Sequence, residues 1–159
     1  MKRMAPDARR EAIVSAAVGV AVEKGLASTT VRDVAGAMGT SSGLIHHYFD
    51  SMDDVLAAAF ERVARQDLAA SEAQMAAAPS PTAALRSFFG TYTPADKDWA
   101  FQLWLDAWAE AARRPPLRDA SSRLNLRWAG LVSVGGAVAL AALGLLANRI
   151  PGLGSRRGY

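Results

Sequence analysis

The chain has 159 residues, 18 Lys/Arg against 15 Asp/Glu for a formal net charge of +3, and no cysteine; a disulfide scaffold, thiolate zinc sites and a cysteine nucleophile are therefore excluded. That length buries a real core without a metal or disulfide staple, as one domain or two small ones. The charge is uneven, at +1 over residues 1–50, −5 over 51–112 and +7 over 113–159, so the N-terminal segment is no strongly basic patch.

Abundant alanine and scarce β-branched runs favour an all-α protein. Met1 to Arg10 is charged and no apolar h-region follows, so no signal peptide is expected. After a short arm bearing Lys2 and Arg3, Asp7 to Lys24 reads as a first helix. Its inward stripe is Ile13, Ala17, Val20 and Ala21, and Gly25 stops it. Thr30-Val31-Arg32-Asp33 has capping-box form and opens a second helix, with Val31, Val34, Ala35 and Met38 inward. Gly39 breaks that helix, and Ser41 is the expected N-cap of a third, which turns Ile45, Tyr48 and Phe49 inward. Ser51-Met52-Asp53-Asp54 caps a long fourth helix to about Ala77. Ser80 and Pro81 start a fifth, with Leu85, Phe88 and Phe89 inside. Asp96 or Asp98 caps a sixth, ended by Pro115-Pro116. A seventh begins near Leu117 and runs through Leu124 and Trp128.

Thr30 to Phe49 carries the sharpest signal. A helix-turn-helix needs a turn residue that accepts a left-handed backbone, here Gly39. It needs a small residue four earlier, so that the helices cross closely, and Ala35 supplies it. It needs an apolar plug from the second helix, and Ile45 lies ten residues after Ala35. A plain helical hairpin would not require all three at these offsets.

The run G-T-S-S-G-L-I-H-H-Y-F-D-S-M-D-D-V-L, with T-V-R-D-V-A before it, resembles the tetracycline-repressor (TetR) family signature. The likeness is strong over residues 8–60 and continues less specifically to residue 128. It implies an all-α fold, with a three-helix DNA-binding domain over residues 1–50 and a helical effector-binding and dimerisation domain over 51–128. It implies DNA contacts at Thr30, Ser41, Ser42, Gly43, Leu44, His46, His47 and Tyr48, and binding of palindromic double-stranded DNA as a homodimer. One departure is Met52, where the family usually has a phosphate-gripping Lys; its loss should weaken non-specific affinity and lower the salt slope.

The residues agree in kind. Ser42 can donate to a base edge or a phosphate, and Leu44 can touch a thymine methyl. His46 and His47 can donate to phosphates. Adjacent residues diverge by about 100° on a helix, so the two histidines do not share a metal. Phe49 reads as core.

On helix six, Trp99, Leu103, Trp104, Ala107, Trp108 and Ala111 form an aromatic stripe. It reads either as core or, with Phe88, Phe89, Tyr92 and Phe101, as a pocket for an apolar or cationic effector. The family's ligand lies among helices four to seven, which supports the pocket. Asp106 and Glu110 are candidate counter-ions or plain surface carboxylates. No GxSxG, Walker loop or GxGxxG occurs, so neither enzyme nor cofactor is expected.

The tail differs from the family, whose two further dimer helices have no counterpart here. Ala129–Ala147 is uncharged and long enough for a minimal membrane span. Three readings stand: an altered or truncated C-terminus, a membrane anchor with a cytoplasmic N-terminus, or a buried core helix. Its basic residues read either as a surface for an anionic partner or as solvated arginines. Residues 151–159 are expected to be disordered. The function expected is a cytoplasmic, ligand-responsive TetR-like repressor. The alternative is a membrane-anchored or degenerate helical protein with a remnant helix-turn-helix.

Overall fold

The computed structural model describes residues 5–90 and 98–147, with side chains over 5–90 and 99–133. Within these, seven helices occur and no strand: α1 Pro6–Lys24, α2 Val31–Ala37, α3 Ser42–Tyr48, α4 Met52–Ala76, α5 Pro81–Gly90, α6 Asp98–Ala111 and α7 Pro115–Ala147. The expected tail at 151–159, the cap at Asp96 and the N-terminal arm to Met4 lie outside the described residues.

Local chemistry explains most boundaries. Pro6 and Asp7 open α1, where a missing N–H costs nothing and a negative charge suits the dipole. Gly25 ends it at φ 80°, a left-handed value that L side chains resist. The Ser51 hydroxyl accepts from the Asp54 N–H at the start of α4, and the Ser80 hydroxyl accepts from the Ala83 N–H at the start of α5. Pro115 and Pro116 do not simply stop α6, as expected; they are the first two residues of α7, where proline is well tolerated.

Two cores share one spine. Val55 and Ala59 of α4 pack with Ile13, Val14, Ala17, Val34, Ala35, Ile45 and Phe49 to close the N-terminal head. Leu56, Phe60, Val63 and Ala64, on the next rows of the same helix, pack with Leu103, Trp104 and Ala107 of α6 and with Leu117, Ala120 and Leu124 of α7. Phe60 is fully buried and meets Trp104 edge-on at 4.8 Å. Met52 sits at the junction, half-buried against both clusters. Its side chain has become packing between the head and the body.

Helix α7 lies along α4 and matches it in charge. Arg123 pairs with Glu61, Arg127 with Glu72 and Arg114 with Asp53. Among the described residues, Arg113, Arg114, Arg123 and Arg127 thus face carboxylates of the middle segment, while Arg118 lies beside Asp119. The exposed Arg123–Glu61 and Arg127–Glu72 pairs contribute about 0–1 kcal/mol each, whereas Arg114–Asp53 is partly buried.

The apolar stretch 129–147 is not a separate helix: α7 runs unbroken from Pro115 to Ala147. Among the described residues no helix is long and apolar enough to cross a membrane. The side chains of 134–147, most of the stretch behind the membrane reading, lie outside the described residues.

Candidate DNA-reading head and effector cavity

The head is built on two local devices. At the start of α2 the Thr30 hydroxyl accepts from the Asp33 N–H at 3.3 Å, and the Asp33 carboxylate accepts from the Thr30 N–H at 3.0 Å. This is the capping box expected from sequence. The hydrogen bond from Lys24, and next those from Thr30, hold the Asp33 carboxyl down at about 2. At the turn, Gly39 adopts φ 62°, and the Thr40 N–H reaches the Ala35 carbonyl at 2.9 Å. That bond closes α2 over the place where α3 must cross.

Ile45 is 1 % exposed and packs with Val34, Ala35 and Phe49, as the plug at a close crossing should. With Ile45 inward, Ser41, Gly43, His46 and His47 face outward, Ser42, Leu44 and Tyr48 are half-buried at the flanks, and Thr30 is exposed. Thr30, Val31, Arg32, Ser42 and His46 line one shallow hollow between α2 and α3. Seven of the eight sequence candidates sit on α3 or its N-cap; of these Ser42 and His46 border the hollow, together with Thr30, the N-cap of α2. Ser41 departs from expectation in one respect: it is the N-cap of α3, but its side chain makes no cap bond. Among the described residues no cluster of three metal-ligating groups occurs.

Sequence reasoning missed Arg10. Its guanidinium lies 3.9 Å from the centre of the Phe49 ring and donates to the Tyr48 carbonyl at 2.8 Å. The last turn of α3 is thus capped from α1, 38 residues away. Nothing local marks an exposed arginine of a first helix for this task.

The second site is a cavity of about 370 Å³ between α5, α6 and α7. Phe88, Phe101, Trp104, Trp108 and Trp128 wall it, with Asn125, Ala129 and Val132. Trp104 and Trp128 stand 6.0 Å apart at 79°, Trp104 and Trp108 5.8 Å apart, and Phe88 and Trp128 5.5 Å apart. The Trp104 indole Nε1 donates to the Asp67 carboxylate at 3.2 Å. A ring whose N–H is drawn toward a carboxylate presents a more negative face to whatever enters.

Of the residues expected there, Phe88, Phe101, Trp104 and Trp108 line the cavity. Phe89 does not: it is 63 % exposed and meets the Phe88 ring edge-on at 5.2 Å. Trp99 does not either. It borders a separate hollow beside Gly25, Gln102 and Asp106, because five residues on a helix is well off the Trp104/Trp108 row. Tyr92 lies outside the described residues. Asp106 and Glu110 are not cavity counter-ions: Asp106 accepts from the Leu26 N–H and from Gln102, and Glu110, buried, holds Arg113 and Arg114. Those arginines, Arg113 first, draw the Glu110 carboxyl below the usual range. Trp128 and Asn125 were missed because their helix reads, locally, as an ordinary amphipathic stripe.

Comparisons with known proteins follow the same division. Residues 13–59 match the family described as bacterial regulatory proteins, tetR family. The HTH-type transcriptional regulator BetI of Paraburkholderia phytofirmans is 32 % identical over 114 residues, 69 % of this chain and 58 % of that protein. The chain thus spans less than two thirds of the length of that relative. Among solved structures, a putative transcriptional regulator from Pseudomonas aeruginosa PAO1 superposes with a TM-score of 0.75 at 19 % identity, covering 93 % of this chain and 71 % of the other. A putative transcriptional regulator from Saccharomonospora viridis, solved in complex with choline, gives 0.70 at 22 % identity, covering 84 % and 70 %. At these identities the likeness is one of fold.

Proposed function

The chain belongs to the TetR family of transcriptional regulators, and on that footing we propose that it is a ligand-responsive repressor that reads palindromic operator DNA as a homodimer. The observation that carries the reading is the pairing of an outward α3 face with an aromatic cavity whose wall, α6, also abuts the head. Each protomer would place α3 in a major groove, at half-sites roughly 34 Å apart or a multiple of it. Ser42, Gly43, Leu44 and His46 would meet base edges, while Thr30, Ser41, His47 and Tyr48 would hold phosphates. Met52 cannot grip a phosphate, but its place between the two cores gives it a packing role. Its presence therefore does not mark a decayed head.

The effector we propose is a small organic cation of the quaternary-ammonium class. Aromatic faces attract such cations by about 0.5–1 kcal/mol when exposed and about 2 kcal/mol or more when desolvated. The S. viridis regulator of similar fold holds choline, which supports the class without fixing the molecule. The reading is of a binding protein, with no reaction assigned to it.

The test has two arms. Fluorescence anisotropy with DNA from around the protein's own gene, at stated salt, should show a specific complex and a dimer-sized stoichiometry. Tryptophan fluorescence titrated with choline should saturate, whereas its neutral carbon isostere should bind at least tenfold more weakly. Absence of any salt-resistant DNA complex would overturn the regulator reading, and equal binding of the isostere would overturn the cation.

A further inference from the structure

Helix α6 presents a second face to the end of α1. Trp99, Gln102, Leu103 and Asp106 fall three or four residues apart, so they share one row of the helix. With Ala21, Val22 and Gly25 they line a hollow of about 290 Å³, separate from the aromatic cavity. Its base is apolar: Ala21 and Leu103 are buried in the body core, where Leu26, Ala100 and Trp104 join them. Its rim is open, with Trp99 43 % and Val22 42 % exposed.

The charged group of the hollow is Asp106. Its Oδ2 accepts from the Leu26 N–H at 3.2 Å and its Oδ1 from the Gln102 amide at 3.1 Å. Both donors are neutral, and among the described residues no Lys, Arg or His pairs with this carboxylate. Glu110, one turn on along the same helix, differs: Arg113 and Arg114 take up its charge. A carboxylate has about four lone-pair sites, so each Asp106 oxygen keeps capacity for a further donor. Gly25 leaves room for one, since a Cβ there would stand 3.1 Å from Oδ2. Gln102 gives an N–H to Asp106, which leaves its amide oxygen as an acceptor beside the carboxylate.

These groups select one shape of cation. A guanidinium is planar and carries its N–H donors in a fork that meets both oxygens of a carboxylate, while its flat face stacks on an aromatic ring. A quaternary ammonium has no N–H and would leave the carboxylate unbonded; it suits the aromatic cavity, where rings attract it. We propose that the hollow is a second small-molecule site, for a small alkylguanidinium. Its fork meets Asp106, a remaining N–H meets the Gln102 amide oxygen, and its plane lies against Trp99. The site requires nothing of the aromatic cavity and stands whether or not that cavity takes a cation.

Amide NMR of the isotope-labelled full chain at constant ionic strength tests it, read at the Gln102 side-chain amide, the Trp99 indole N–H and the Leu26 N–H. Methylguanidinium should shift all three along one saturable curve at millimolar concentration. Methylurea, its neutral planar isostere, and tetramethylammonium, a cation without N–H, should bind there at least tenfold more weakly. Asp106→Asn, whose amide oxygen can still accept from Leu26, should lose at least tenfold in methylguanidinium affinity. Trp99→Leu, read at Gln102 and Leu26, should lose at least threefold. Shifts that do not saturate, equal binding of methylurea or tetramethylammonium, or undiminished affinity in Asp106→Asn overturn the site. If Asp106→Asn fails to fold, Trp99→Leu, altered at an exposed ring, decides together with the selectivity of the wild type, and undiminished affinity there overturns the proposal.

Discussion

Arg10 stacks over Phe49 with its guanidinium carbon 3.9 Å from the ring centre, while donating to the carbonyl of Tyr48 next door. One side chain of α1 thus fixes both the exit of α3 and the core residue that ends it. Arg10→Ala removes an exposed cation–π contact of about 0.5–1 kcal/mol and a charge-assisted bond. Urea unfolding should show a loss of about 1–2 kcal/mol. Operator affinity should drop more than stability does, because the loosened element is the reading helix. Arg10→Lys, lacking the planar fork, should recover less than half.

Ile45 and Ser42 separate packing from reading on the same helix. Ile45→Ala leaves a cavity at the helix crossing and should cost about 2–5 kcal/mol, enough to melt the head by circular dichroism. Ser42→Ala should leave the melt within about 0.5 kcal/mol while weakening specific DNA binding by about 1 kcal/mol or more. A Ser42→Ala protein with undiminished operator affinity would remove that residue from the contact set.

The cavity predicts a graded response among its aromatic residues. Trp128→Leu should lower affinity for a quaternary ammonium about tenfold, or about 1.4 kcal/mol, while affinity for a neutral apolar probe changes little. Phe89→Leu, outside the cavity, should leave both unchanged. Calorimetric titration of the two variants checks this, and an effect of Phe89→Leu equal to that of Trp128→Leu would redraw the site.

Ser71 of α4 and Ser121 of α7 are buried, and their hydroxyls have no hydrogen-bond partner among the described residues. An unmatched buried hydroxyl carries a desolvation penalty of about 1–3 kcal/mol. Ser71→Ala and Ser121→Ala should therefore be neutral or raise stability by up to about 1 kcal/mol in urea. Any clear destabilisation would mean that the hydroxyls are satisfied by water.

Acid should act through two carboxylates. Asp33 is lowered from 3.8 to about 2, first by Lys24 and then by Thr30. Glu110 is lowered by Arg113 and Arg114. A group with a depressed folded pKa contributes stability that is full above its unfolded value and is lost as pH falls through the folded value. The urea midpoint should therefore decline on going from pH 5 toward pH 2. Asp33→Asn and Glu110→Gln should each flatten part of that decline, at the cost of lower stability at pH 5.

The helix-turn-helix was legible because its demands are local. Thr30, Asp33, Gly39 and the Ala35–Ile45 spacing each answer a backbone or crossing requirement within about fifteen residues of chain, and all four stand where expected. The aromatic cavity was only half legible. Trp104 and Trp108 share a row on one helix, but Trp99 and Phe89 have the same composition and point elsewhere, and Trp128 joins from another helix. The boundary between the sixth and seventh helices falls beside Pro115 and Pro116 as expected, but α7 starts on the pair itself rather than near Leu117, since a proline pair that cannot extend a helix can start one.

What the amino-acid sequence determined by itself is the class of the protein and the design of its reading helix, since capping, left-handed turns and helical periodicity are properties of short segments. Only the tertiary structure decided which side chains meet across long separations. Arg10 with Phe49 is set by the head core that α1, α3 and α4 share, Asp106 with Leu26 and Arg114 with Asp53 by how α4, α6 and α7 pack, and no local preference encodes either. Burial of Phe60, Trp104 and Leu117 in one core brings these elements together, and the polar contacts form where the packing leaves them within reach.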